Sequence, residues 1–459
     1  GYKADRSLFQ IGECYLETGR YELAIDAYRQ LIDRQQIENL SEVELRRIQR
    51  EKIAGLVDET ALELAAKAQI RVGTCYSRLG RFEEGLEAYR QVIALFASER
   101  RLVEEAYLRT ADLHQERGDV EASISTYREA INQSTNRTLR ARIQYALAES
   151  FFSHVRYAEA IREYRTYLQS YADIAAGAGF SPGRVRYRIG SAYQQMAELG
   201  EGGGRPDSGD RATWLNLAIA QYDTLCADES SSYFLDARFN RALAHQGLGG
   251  DGSIDLAEAE LGSILEAGDE GYAQRALVQL GELHFDRGQY RRAAQVSQQL
   301  LDEHPHSEYL DKALIRLALS HQAMGDLDSA VPAFLEIREE SPLFARARLG
   351  GGHSLLNQRE YRQAAAALES GLRRADDDGQ RGSFNYLLGQ AYSGLGDYAK
   401  AVSRFTAAFA SPMNAQLQEA LRFSRGNAAF ASAAYGLAEE DFTWIVDHVV
   451  DPEKMRSAK

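Results

Sequence analysis

Small, aromatic and alanine positions recur along the chain at fixed offsets. In "IGECYLETGRYELAIDAYRQLI", residues 11–32, with Gly12 as zero, Tyr15 stands at +3, Gly19 at +7, Tyr21 at +9, Ala24 at +12 and Tyr28 at +16. The same offsets return at Gly73, Tyr76, Gly80, Phe82, Gly85 and Tyr89, and at Gly389, Tyr392, Gly396, Tyr398, Ala401 and Phe405. Weaker copies start at Ala111, Ala148, Gly190, Ala242, Gly281, Ala318, Gly352 and Gly426, making eleven, at spacings of 61, 38, 37, 42, 52, 39, 37, 34, 37 and 37 residues. Steps of three and four residues stay on one side of a helix, so offsets 0, +3 and +7 predict one face of a helix A. Glycine at +7, followed by Arg20, Asp119, Asp326 or Asp397, ends that helix and turns the chain into a helix B. A helical glycine costs roughly 1 kcal/mol. The empty place at zero, facing alanine at +12, lets two backbones approach while the aromatics fill the space around them. Pro305, Pro342 and Pro412 are expected to stop helix B.

Small and aromatic residues at these offsets, with a period of 34 to 38 for most copies, resemble the tetratricopeptide repeat, a helix-turn-helix unit. The resemblance implies an all-α, right-handed superhelical solenoid of about eleven repeats across residues 1–459, because one hairpin cannot bury its apolar face alone. Several segments depart from the pattern. Residues 33–64 are charged and helix-favouring and predict a helical insertion between repeats 1 and 2. Residues 198–213, within "ELGEGGGRPDSGDRAT", predict a flexible loop in repeat 5. "GLGGDGSIDLAE" predicts a widened turn in repeat 6, and "ADIAAGAGFSPG" lengthens the join between repeats 4 and 5.

Composition narrows the classes. The 7 prolines and 25 tyrosines fit helix better than a many-turned β protein. No apolar run reaches the 18 or so residues of a membrane span, and no basic-then-apolar leader opens the chain. It begins without methionine, so an upstream segment stays open. A net charge of −14 argues against a nucleic-acid footprint over the whole surface. Cys14, Cys75 and Cys226 are too few and scattered for a disulfide framework or a zinc site; Cys14 and Cys75 share one offset and read as small buried residues.

No catalytic constellation, cofactor motif or metal motif is found: the chain lacks H-E-x-x-H, G-x-x-x-x-G-K-[ST], G-x-S-x-G and C-x-x-C. His114, His245, His284 and His321 stand at the aromatic +3 place and read as packing residues, and Asp376, Asp377 and Asp378 as a solvated turn. The expectation is therefore a protein that is not an enzyme and carries no cofactor.

In the family that the repeats resemble, helix A lines the concave surface, and by that resemblance offsets −6, −3, +1 and +4 line a groove here. Offset −3 is apolar or aromatic in all eleven copies, including Tyr145, Tyr187, Phe239 and Tyr386. Offset −6 is basic in seven, including Arg142, Arg184, Arg275, Lys312 and Arg346. These nine residues are the candidate partner-binding set. A basic row beside an aromatic row suits an extended or helical peptide bearing carboxylates. The competing reading has offset −3 packing against the next repeat, with the Arg and Lys stems laid over it and paired to nearby acids. The family's clamp for peptide C-termini takes lysine at −3 and asparagine at +1; here −3 is never lysine and only Asn427 supplies the asparagine, which speaks against a chaperone-tail receptor.

The repeats look like those of bacterial cell-envelope assembly proteins, which implies an interaction scaffold with a periplasmic or envelope setting preferred over the cytoplasm. Two alternatives stay open: self-association through ends that look uncapped, where Trp444, Ile445, Val449 and Val450 stand, and a regulatory module of a larger protein.

Overall fold

The amphipathic spacing produces paired helices throughout the computed structural model, which describes residues 2–34, 61–96, 99–200, 208–411 and 415–448. Among these residues there are helices and turns but no strand. Repeats 1 to 5 pair Tyr2–Glu17 with Tyr21–Arg34, Ala61–Arg78 with Phe82–Leu95, Arg100–Glu116 with Val120–Gln133, Arg137–Ser153 with Tyr157–Tyr171, and Pro182–Leu199 with Ser208–Cys226. Repeats 7 to 11 pair Glu270–Asp286 with Tyr290–Glu303, Leu310–Ala323 with Leu327–Glu336, Phe344–Asn357 with Tyr361–Leu372, Asp378–Gly394 with Tyr398–Ala408, and Ala415–Ala431 with Tyr435–His448.

The chain divides into two compact units, Gly1–Leu248 and Gly249–Lys459. Helix A of repeat 6, Phe234–Leu248, belongs to the first unit and helix B, Asp251–Glu266, to the second. In each unit every helix packs chiefly on its neighbours in the chain, as expected where each hairpin buries its face on the next. The core is built at the expected offsets. Ala24, Ala160, Ala293, Ala330, Ala364 and Ala401, all at +12, have no exposed surface.

Several local expectations are corrected. Only Gly249 and Gly250, both at positive φ, lie between the helices of repeat 6, so its turn is not widened. The buried side of its helix B is Ala257, Leu261 and Ile264, three residues later than the offsets predict, so the extra residues form helix instead of loop. Helix B of repeat 8 ends at Glu336, well before Pro342, with Ile337 extended and Pro332 inside the helix. Cys75 is fully buried but Cys14 is exposed, since no described hairpin packs on that side of the first repeat. The join between repeats 4 and 5 folds into short turns, Ala172–Ile174 and Ala175–Ala178, before Ser181 caps the next helix by accepting from the Arg184 amide. Of the 33–64 insertion, residues 35–60 lie outside the described residues, as do 201–207 of the 198–213 loop, Pro412, Val449 and Val450; the flanks of that loop, Glu198–Leu199 and Ser208–Thr213, are helical.

Candidate partner-binding face

In several repeats the helix pair is locked from within by an aromatic ring of helix B, at +16 where no residues are inserted between the helices. A Cβ added at Gly73 or Gly389 would stand 2.5 Å from the ring of Tyr89 or Phe405, and one at Gly190 would stand 2.6 Å from Tyr222, which takes the same place 32 residues on because of the long segment between the helices of repeat 5. The empty place at zero therefore admits the +16 ring, more than the +12 alanine. At +7 the chain is left-handed, with φ of 72° at Gly19, and its backbone closes the turn: the Arg20 amide donates to the Tyr15 carbonyl at 2.8 Å.

The hydroxyl of a +16 tyrosine in turn finds an acceptor at +1 of helix A. Tyr28 donates to Glu13 at 2.5 Å, Tyr164 to Glu149 at 2.5 Å and Tyr127 to Asp112 at 3.2 Å, while the Tyr89 and Thr74 hydroxyls lie 3.3 Å apart. Burial and the adjacent carboxylate push the Tyr127 and Tyr164 hydroxyls well above their ordinary range, keeping them protonated donors. At two of these junctions an arginine at −2 of the next repeat completes the group, and at a third, where +16 is Ser297, such an arginine pairs with the +1 glutamate alone. Arg71 donates to Glu13 at 2.9 Å, Arg188 to Glu149 at 2.8 Å, and Arg316 pairs with Glu282.

The predicted binding residues fall into two sets, one in each unit. In the first unit, Tyr145 is buried and stacks on Phe180, ring centroids 3.9 Å apart and planes 7° from parallel. Arg184 reaches over both rings, 5.3 and 5.2 Å from their centroids, and its Nε donates to the Tyr145 hydroxyl at 3.1 Å. Tyr187 is half-buried, 6.1 Å from the Tyr222 ring, and its hydroxyl accepts from Asn240 at 3.0 Å; the adjacent Phe239 is buried. Arg142 is exposed and lines a cleft of about 520 Å³ with Arg101, Glu105, Leu108 and Arg109. In the second unit Arg275 stands 5.2 Å over Tyr272, Lys312 5.3 Å over Tyr309, and Arg346 is exposed. Tyr386 is half-buried, its ring 5.9 Å from that of Phe405. The structure thus joins Arg184 directly to Tyr145, and Phe239 to Tyr187 through the neighbouring Asn240.

The repeat pattern is matched by two models described as "Tetratricopeptide repeat", one over residues 70–138, 108–175, 315–379 and 349–402 and the other over 6–35 and 275–307. The chain belongs to the tetratricopeptide repeat family. No curated protein sequence matches it. Among solved structures, the C-terminal part of a TPR repeat-containing protein from Cytophaga hutchinsonii aligns at 14% identity with a TM-score of 0.44, covering 59% of this chain and 97% of that one. MamA from Desulfovibrio magneticus RS-1 aligns at 18% identity and TM-score 0.33, covering 40% and 96%, and yeast Tom70 at 11% and 0.37, covering 99% and 94%.

The tetratricopeptide fold supports a protein–protein interaction scaffold. Among the described residues no three or more His, Cys, Asp or Glu gather as metal ligands, and no helix is long and apolar enough to cross a membrane. His284 and His321 clip the turn from +3 to +8, through Gln289 at 2.9 Å and Asp326 at 3.0 Å. What the sequence reading missed in this tetratricopeptide chain is the +1, +16 and −2 network. A signal for it was present: in the first four repeats tyrosine at +16 accompanies Glu13, Thr74, Asp112 or Glu149 at +1, each an acceptor.

Proposed function

We propose that the protein is a scaffold whose helix A faces bind partner segments carrying carboxylates. One observation carries the reading: the two rows of basic side chains on helix A differ in how their charge is met. The −2 row is neutralised internally, Arg71 by Glu13, Arg188 by Glu149 and Arg316 by Glu282. In the −6 row Lys67 pairs with Glu63 at 3.4 Å, but Arg142, Arg184, Lys312 and Arg346 make no ion pair among the described residues, although the chain as a whole is acidic. Arg184 is held ready by its bond to Tyr145 and by the two rings beneath it, so little side-chain freedom is lost when it meets a carboxylate. In this reading Tyr145, Tyr187 and Phe239 are the floor under the basic row of the first unit, and Tyr386 is the ring beside the row formed by Arg275, Lys312 and Arg346 in the second. Catalysis, a cofactor and nucleic-acid binding form no part of the reading. By the family resemblance, assembly of a bacterial envelope is the setting it favours.

Joint charge reversal, Arg142→Glu with Arg184→Glu and Arg275→Glu, tests it. The expected result is loss of the partner recovered by pull-down, with the helical circular dichroism unchanged, and a native interaction that weakens as salt rises. Full retention of the partner by the triple variant overturns it. Self-association through the terminal repeats is the rival reading. Light scattering separates the two, because only self-association raises the mass with concentration.

A further inference from the structure

An edge-to-face pair of a phenylalanine at +4 and a tyrosine at +9 is built three times in this chain. Phe152 and Tyr157 lie 5.2 Å apart at 71°, Phe285 and Tyr290 5.2 Å apart at 61°, and Phe430 and Tyr435 5.5 Å apart at 67°. The first two pairs are covered by the arginine at −2 of the following helix A. Arg188 lies 3.9 Å over the Phe152 ring and Arg316 4.3 Å over Phe285, and each also pairs with the glutamate at +1, Glu149 or Glu282. The third pair is bare: Phe430 is 63% exposed and Tyr435 61%, and among the described residues no cation lies over either ring. At +1 the exposed Asn427 presents an amide oxygen where the other two sites have a carboxylate, and the adjoining helix Tyr435–His448 carries Glu439, Glu440 and Asp447.

We propose that Phe430, Tyr435 and Asn427 form a docking site for a helix of a partner protein, which lays an arginine over the Phe430 ring as Arg188 and Arg316 do within the chain. The occupant is specified by those two internal copies. It is a helix, because both covering arginines stand on helices. It carries arginine, because a guanidinium can stack flat on the ring and at the same time donate to the +1 oxygen, which a lysine ammonium does less well. The acidic residues on the flanking helix favour a cationic approach. The proposal does not rest on the −6 and −3 rows and concerns a different surface.

The test uses the full chain and a stapled helical peptide copying Leu310–Ala323, "LDKALIRLALSHQA", which carries Arg316, beside the same peptide with Arg316→Ala. Anisotropy of the labelled peptides is titrated against the unaltered chain and against Phe430→Ser and Tyr435→Ser, exposed substitutions whose folding is checked by circular dichroism. The expected result is saturable binding of the arginine peptide, about five- to tenfold weaker binding of the alanine peptide, and loss of binding to Phe430→Ser. Equal binding of the two peptides, or binding indifferent to Phe430→Ser, overturns the proposal. So does binding that appears only after residues 449–459 are removed, which makes the chain's own tail the occupant. A doubling of mass that depends on Phe430 overturns it in favour of a second copy.

Discussion

Val155, Arg359 and Ala433 hold the left-handed turn conformation, with φ near 63°, that glycine takes at the same offset in seven other repeats. A β-branched residue is strained there because its Cβ crowds the carbonyl oxygen, and Val155, at 39% exposure, recovers little by burial. Val155→Gly is therefore expected to stabilise the protein by about 1 kcal/mol, after allowing for the greater freedom of glycine in the unfolded chain. Urea denaturation measures it, and an unchanged or lowered midpoint counts against the strain argument. Glycine at +7 was legible in the sequence, as was the need for a small residue at zero. That the zero position is kept small for the +16 ring was not, because the pattern gives the residue types and offsets but not which side chain meets which.

Helix B of repeat 8 illustrates what holds a single element. Leu327–Glu336 starts from Asp326, whose carboxylate accepts from the Ser329 amide; hydrogen bonding from the Ser329 side chain and then from its amide holds this carboxyl below the ordinary range. Pro332 removes one amide donor from its interior, and the helix ends early. Its last carbonyls are met by Arg348 of the following helix A, which donates to Phe334 O at 2.9 Å and Ile337 O at 3.2 Å and stacks over Phe344. Arg348→Met keeps the stem and removes both bonds to charge, so it is expected to lower stability by about 2 kcal/mol. Calorimetry reads this as a lower melting temperature, and a variant as stable as the unaltered chain sinks the idea. The sequence marked Asp326 as the start of this helix. It gave no sign of Arg348, which lies 22 positions further on and reaches back only once the hairpins are stacked.

Across each unit the hairpins contact chiefly their neighbours in the chain, so damage should spread from repeat to repeat and fade with distance. Gly389→Ala forces the Phe405 ring out of its place. Within the second unit it is expected to speed amide exchange most in Asp378–Ala408, less in Phe344–Leu372 and Ala415–His448, and least in Glu270–Glu303. Uniform acceleration over Glu270–His448 would mean that the unit melts as one body. The same neighbour-to-neighbour logic explains how far the candidate site could be foreseen. Periodicity assigned Arg142 with Tyr145, and Arg184 with Tyr187, to the same face of their helices, since i and i+3 share a face whatever the rest of the chain does. It could not separate Arg142 and Arg184, which make no ion pair among the described residues, from Arg71 and Arg188, each paired with a glutamate of the preceding repeat. Those partners stand 39 to 58 positions apart, and only stacking brings them together. The sequence by itself determined the helices, their left-handed turns and the family, because these follow from local sterics and a repeated apolar spacing. The tertiary structure alone decided which charges are neutralised and which rings are covered, because both depend on contacts between hairpins.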